Sequence, residues 1–240
     1  MPKILSVLTS VSLATGLLSV VAGSAQAALL IGNIAGVPSS LNFSTTSITA
    51  AGSGNNDQRK AVEFTTGGTA QTLTSVQLYL AGYDTADTPV ITIFQGTANA
   101  SVAGTTVTLL APPNPAPLPN TDPQAGVNTV YEYTAFSPAS YTFLPNTQYT
   151  LIVAADAGAF NWLRDSLSNV TPTGLATFDR YLFSELGNPF FEDSVLFNNF
   201  AINTAPVVPT PEPATVLGLL TVGLLGTVSS SYRKKAENQK

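Results

Sequence analysis

Two long runs without a single charged side chain bracket this chain, Ile4–Val21 near its start and Ala214–Tyr232 near its end. Both read as targeting segments, so the folded domain has to be drawn from the residues between them. The first run follows Met1-Pro2-Lys3, with a lysine beside the amino terminus, and leads into Ala22-Gly23-Ser24-Ala25-Gln26-Ala27. Ala25 and Ala27 supply the small-x-small pattern that fits the narrow pockets of a signal peptidase. Residues 1–27 are therefore expected to be a secretory signal peptide cleaved after Ala27.

The second run is built differently. Prolines hold 205–213 extended as a semi-rigid spacer. The nineteen uncharged residues from Ala214 to Tyr232 come close to the ~20 that cross a bilayer as a helix. Arg233, Lys234 and Lys235 follow at once, and the positive-inside rule puts such a cluster, and with it 233–240, on the cytoplasmic side. Residues 28–204 are then expected to fold outside the cytoplasm.

Pro211-Glu212-Pro213, the Leu/Gly-rich run and Arg233-Lys234-Lys235, in that order at the chain end, resemble a PEP-CTERM sorting signal of exported Gram-negative bacterial proteins. The resemblance implies a membrane-embedded exosortase that recognises the tail through Pro211, Glu212 and Pro213 and removes it, with Arg233, Lys234 and Lys235 setting orientation. It implies a precursor held transiently in the inner membrane, a mature form at the cell surface or outside the cell, and a setting of extracellular polysaccharide and biofilm.

The region between the targeting segments carries four basic against thirteen acidic side chains, a balance of −9 where the whole chain has −5. A polyanion would be repelled, which argues against a nucleic-acid partner. Histidine and cysteine are both absent. Their absence excludes Ser-His-Asp and Cys-His relays, zinc sites of the usual kind, and any disulfide framework.

The patterning predicts strands. Leu73–Leu80 alternates, with Val76, Leu78 and Leu80 on one face and Ser75, Gln77 and Tyr79 on the other. Residues 90–94, 105–110, 127–136, 149–154, 176–183 and 196–202 are similar, and only a short helical turn is expected, around 162–169. The expected fold is all-β, an antiparallel β-sandwich ectodomain of jelly-roll-like kind. Ala111–Pro123 holds six prolines and is expected as an exposed polyproline-like excursion. Ala61-Val-Glu-Phe64, Leu73–Leu80, Tyr141–Val153 and Asn161-Trp162 resemble the exported domains called choice-of-anchor type R, which implies a sandwich and supplies no catalytic residues.

Three chemistries remain for the ectodomain. Trp162, flanked by Arg164 and Asp165, could stack on a pyranose as a carbohydrate-binding module, or anchor the core between sheets. The aromatic stretch Phe190–Phe200 is read as a strand entering the core. Asp156, Asp165, Asp179, Glu185, Glu192 and Asp193 offer carboxyl pairs to a glycan hydrolase. No cofactor is expected, the alternative being Ca²⁺ on turn carboxylates at Asp57, Asp84 and Asp87. The leading expectation is a non-enzymatic exported envelope or matrix protein.

Overall fold

The computed structural model describes residues 27–34, 43–52, 57–118, 129–165, 170–193 and 197–207. Ala25, Pro211, Glu212, Pro213, Arg233, Lys234, Lys235 and the 214–232 span lie outside the described residues. Among the described residues no helix is long and apolar enough to cross a membrane.

In chain order the strands are β1 (Ala28–Gly32), β2 (Phe43–Thr49), β3 (Arg59–Thr65), β4 (Gln71–Ala81), β5 (Thr88–Thr97), β6 (Ala100–Ser101), β7 (Val107–Thr108) and β8 (Ala116–Pro117). They continue as β9 (Val130–Phe136), β10 (Thr142–Phe143), β11 (Gln148–Ala157), β12 (Ala159–Asp165), β13 (Thr173–Gly174), β14 (Thr177–Ser184), β15 (Phe191–Glu192) and β16 (Phe200–Pro206). Every ladder among them is antiparallel.

One sheet runs β13-β1-β16-β4-β12-β2, with β9 and β10 also paired to β4 and β8 beyond β9. The other runs β15-β14-β3-β11-β5-β6, with β7 beside β5. The first is organised on β4, whose one edge meets β16 and then β12 while its other edge meets β10 and then β9.

Period-two alternation turns Val76, Leu78 and Leu80 of β4 and Tyr149, Leu151 and Val153 of β11 into a single buried cluster shared by both sheets. Trp162, Tyr133 and Phe200 complete its centre. Each fully buried side chain of this size contributes ~1.5–3 kcal/mol. Phe64, Tyr141, Phe143 and Tyr149 form an aromatic nest at one end, with Phe143 and Tyr149 edge-to-face at 4.9 Å.

The structure corrects several expectations. Residues 159–165 are strand, not a helical turn, because β12 pairs along all of β2. The Pro-rich stretch is not free of the sheet up to Leu118: Leu110 bridges Phe136, and Ala116 and Pro117 pair with Glu132 and Tyr131. It forms an interrupted edge, a place where a missing N–H is tolerated. Tyr79 lies on the face opposite Val76, Leu78 and Leu80, as the alternation predicts, and that face is covered too: Tyr79 is buried in a second, smaller cluster with Ala81, Leu118, Val130 and Leu163. Leu118 and Ile34 fold down onto that outer face. Of the Phe190–Phe200 stretch, Phe191 lies in the two-residue β15 and is exposed, while Phe200 is buried in β16.

Both chain ends emerge at one pole, since Ala28 is opposite Thr204 and Gln71 is opposite Pro206. The connections β3–β4, β10–β11 and β13–β14 turn at that terminal pole. Those from β4 to β5 and from β11 to β12 turn at the opposite, distal pole.

Candidate functional site

The side chains proposed for chemistry are dispersed: Asp57, Asp84, Asp87, Asp156 and Glu185 lie at the distal pole, whereas Asp179 accepts hydrogen bonds from Thr65 and Gln148 beside the terminal pole. Trp162 sits on β12 opposite Leu80 and is completely buried, its indole Nε1 donating to the Asn199 carbonyl at 2.8 Å. No ring face is left for a sugar, so the carbohydrate-stacking reading of Trp162 is corrected to a core anchor. Arg164 is half-buried, with a buried Nε that has no hydrogen-bond partner among the described residues. The Asp165 side chain lies outside the described residues.

The acidic turns are already engaged. Asp87 accepts from the backbone N–H of Asp84 through Oδ2 at 2.8 Å and from that of Ala159 through Oδ1 at 2.8 Å. Asp84 Oδ1 accepts from the Ala86 N–H at 2.7 Å. Together they close the β4–β5 turn and fasten it to the start of β12. Asp57 accepts from Arg59 Nε at 2.7 Å. Among the described residues no group of three or more acidic, His or Cys side chains is arranged to hold a metal ion. The calcium reading of Asp57, Asp84 and Asp87 therefore gains no geometry.

Several carboxylates offered to hydrolysis are also taken by neighbouring donors. Asp179 accepts from Thr65 Oγ1 at 2.9 Å and Gln148 Nε2 at 3.2 Å. Glu185 accepts from Gln58 Nε2 at 3.1 Å, and Asp193 is ion-paired with Lys60 at 2.5 Å.

Lys60 is the residue that sequence reasoning passed over. It shares strand parity with Val62 and Phe64, so β3 turns it toward the core, where it is fully buried. Its ammonium lies 5.7 Å from the Phe183 ring centre. Burial pushes its pKa down, with the Asp193 carboxylate working the other way and the nearby Arg164 cation adding to the depression. On the opposite face of β3, buried Glu63 accepts from Arg180 Nε at 2.8 Å and from the Ala98 N–H at 2.8 Å. The parity of Arg59-Lys60-Ala61-Val62 was the available signal.

A second polar network lies next to Trp162. The Tyr181 hydroxyl donates to the Asn198 carbonyl at 2.7 Å, and Asn198 Nδ2 donates to the Trp162 carbonyl at 2.8 Å. Burial pushes the Tyr181 phenol well above its usual range. These bonds stitch β14, β12 and the lead into β16 together, while the buried Asn198 Oδ1 has no hydrogen-bond partner among the described residues.

The feature with functional content lies past the last strand. Residues 209–234 match the PEP-CTERM protein-sorting motif. This chain carries a PEP-CTERM sorting signal. Such a signal belongs to an exported protein that is sorted through an exosortase. No curated protein and no solved structure matches the chain. The match begins two residues after Val207, the residue that follows β16 at the terminal pole.

Proposed function

We propose that the chain is a non-enzymatic, exported cell-envelope or extracellular-matrix protein whose β-sandwich ectodomain is delivered through its PEP-CTERM tail. Residues 1–27 serve as the signal peptide and are removed by signal peptidase after Ala27. Residues 214–232 span the inner membrane transiently, with 233–240 in the cytoplasm, until the exosortase acts at Pro211-Glu212-Pro213. The mature domain then resides at the cell surface or beyond it, among extracellular polysaccharide. The observation that carries this reading is the sorting-motif match over 209–234. The lack of His and Cys and the engagement of Asp179, Glu185 and Asp193 by structural partners favour a binding or structural role over catalysis. The choice-of-anchor type R resemblance is in keeping with two antiparallel sheets around a shared core.

The test is replacement of Pro211, Glu212 and Pro213 by alanine in the native host. The variant is expected to accumulate in the inner membrane with its tail intact by mass, while the wild type is recovered shortened from the surface. Normal shortening and release of the variant would refute the assignment.

A further inference from the structure

The two poles of the domain differ in chemistry. The distal pole carries Asp57, Arg59, Asp84, Asp87, Asp156 and Glu185. The terminal pole is made of residues 66–71, 137–148 and 174–177 with the chain ends 27–29 and 203–207, and none of these is Asp, Glu, Lys or Arg. Its exposed large apolar side chains are Leu29 at 41%, Leu144 at 50%, Leu175 at 52% and Val207 at 43%, whereas Leu186, 63% accessible, sits among the charges of the distal pole.

Leu29, Leu144 and Leu175 are tied into one surface by the backbone. The Leu175 N–H donates to the Leu29 carbonyl at 3.4 Å, and the Asn146 N–H donates to the Gly67 carbonyl at 2.9 Å. Thr66 Oγ1 donates to the Leu144 carbonyl at 2.6 Å. A Cβ on Gly67 would lie 2.8 Å from the Leu175 carbonyl oxygen, so only glycine allows that approach. With these backbone groups bonded internally, the pole can enter a less polar medium at lower cost. Asp179, the third residue of strand β14, is an exposed carboxylate at the margin of this pole and accepts from Thr65 Oγ1 and from Gln148 Nε2.

We infer that this pole, whose margin carries the single carboxylate of Asp179, seats against the lipid bilayer while the tail holds the precursor there. The inference rests on the reading that 214–232 is the membrane span. What selects a bilayer as occupant is the position of the chain exit: Val207 leaves from this pole, and the Val208–Pro213 segment reaches at most about 20 Å even when fully extended. The apolar pole is thereby tethered beside the membrane, and contact becomes intramolecular, so a small apolar patch is enough. Having no basic residues, the pole would engage the interface by burying leucine side chains and not by attracting anionic headgroups. Seating would hold the Pro211-Glu212-Pro213 motif close to the bilayer surface, where a membrane-embedded exosortase can reach it, and turn the acidic pole outward.

The chain has no cysteine, so a single introduced one can carry an environment-sensitive fluorophore at a chosen place. The full precursor, purified from membranes of a host without exosortase, would be labelled in turn at Leu144→Cys, Leu175→Cys, the distal Thr85→Cys and the tail Leu220→Cys. Each would be reconstituted into phosphatidylcholine vesicles containing nitroxide lipid. The labels at 144 and 175 are expected to be quenched at least two-fold more than the label at 85. Quenching at 220 with equal quenching at 144, 175 and 85 would overturn the docking and leave the membrane anchoring standing. No quenching at 220 and no flotation with vesicles would overturn both. A change at 144 and 175 that needs no vesicles and grows with protein concentration would assign the face to a second copy and overturn the lipid assignment.

Discussion

Removing the carboxylate of Asp193 should expose what the Lys60 ammonium costs the core. Lys60 is completely buried, and the Asp193 side chain is only 14% accessible, so the pair is held almost wholly out of water. Breaking a buried pair by deleting one partner costs ~3–5 kcal/mol, because the surviving charge stays buried. An independent bound comes from proton release. With an ordinary lysine value of 10.5, shedding the proton at pH 7 costs about 5 kcal/mol, and the site would do that before paying more.

Asp193→Ala is therefore expected to lose about 3–5 kcal/mol, whereas the double variant Lys60→Met/Asp193→Leu, which replaces both charges with apolar chains, should be neutral or stabilising by ~1–4 kcal/mol. The lysine pKa is lower in the folded state, so between that value and the unfolded one the unfolded chain binds more protons. Stability must rise with pH there, by up to about 1.4 kcal/mol per unit. The deficit of Asp193→Ala should shrink as pH rises from neutral toward the ordinary lysine value of 10.5. Trp162 is the only tryptophan and is fully buried, so its emission reports equilibrium urea unfolding of the mature protein. A deficit under ~1 kcal/mol, or one that is flat across that pH range, would refute the reasoning.

Gly158 has φ +72°, and an added Cβ would meet Asp87 Oδ1 at 2.0 Å and Asp87 Cα at 3.0 Å. Gly158→Ala should cost ~2–4 kcal/mol, from ~1–2 kcal/mol of left-handed backbone strain plus displacement of the Asp87 hydrogen bonds; a urea midpoint near wild type would contradict this. Burial raises the pKa of Tyr79, Tyr83, Tyr133, Tyr141, Tyr149 and Tyr181, that of Tyr133 to about 12. Stability from these groups is complete below the unfolded value near 10 and lost as pH climbs through the folded values, about 3 kcal/mol for Tyr133 alone. Tyrosinate absorbance and Trp162 emission should change together in one steep alkaline transition, and gradual ionisation at constant Trp162 emission would argue against it.

Strands were legible where alternation was strong. Leu73–Leu80 became the centre of β4 and Tyr149–Ala154 that of β11 because a period-two pattern needs only its own residues to be seen. β12 was missed, since Phe160-Asn161-Trp162-Leu163 reads as apolar in both registers; Trp162 faces the main core and Leu163 the second cluster. The same two-sided burial hid Lys60 and Glu63, which occupy opposite faces of β3 and are both inaccessible. The Asp84–Asp87 turn was recognised as acidic, but that its carboxylates serve nearby amides depends on Ala159, far along the chain.

The sequence by itself determined the address. The sorting motif occupies the contiguous residues 209–234, so linear order alone is enough to see it. Only the tertiary structure decided which ectodomain residues are free to act. Burial and pairing are long-range: Trp162 is closed off by Asn199, Lys60 is matched by Asp193, and Leu29, Leu144 and Leu175 share one pole. Those contacts join residues far apart along the chain, which local pattern cannot bring together.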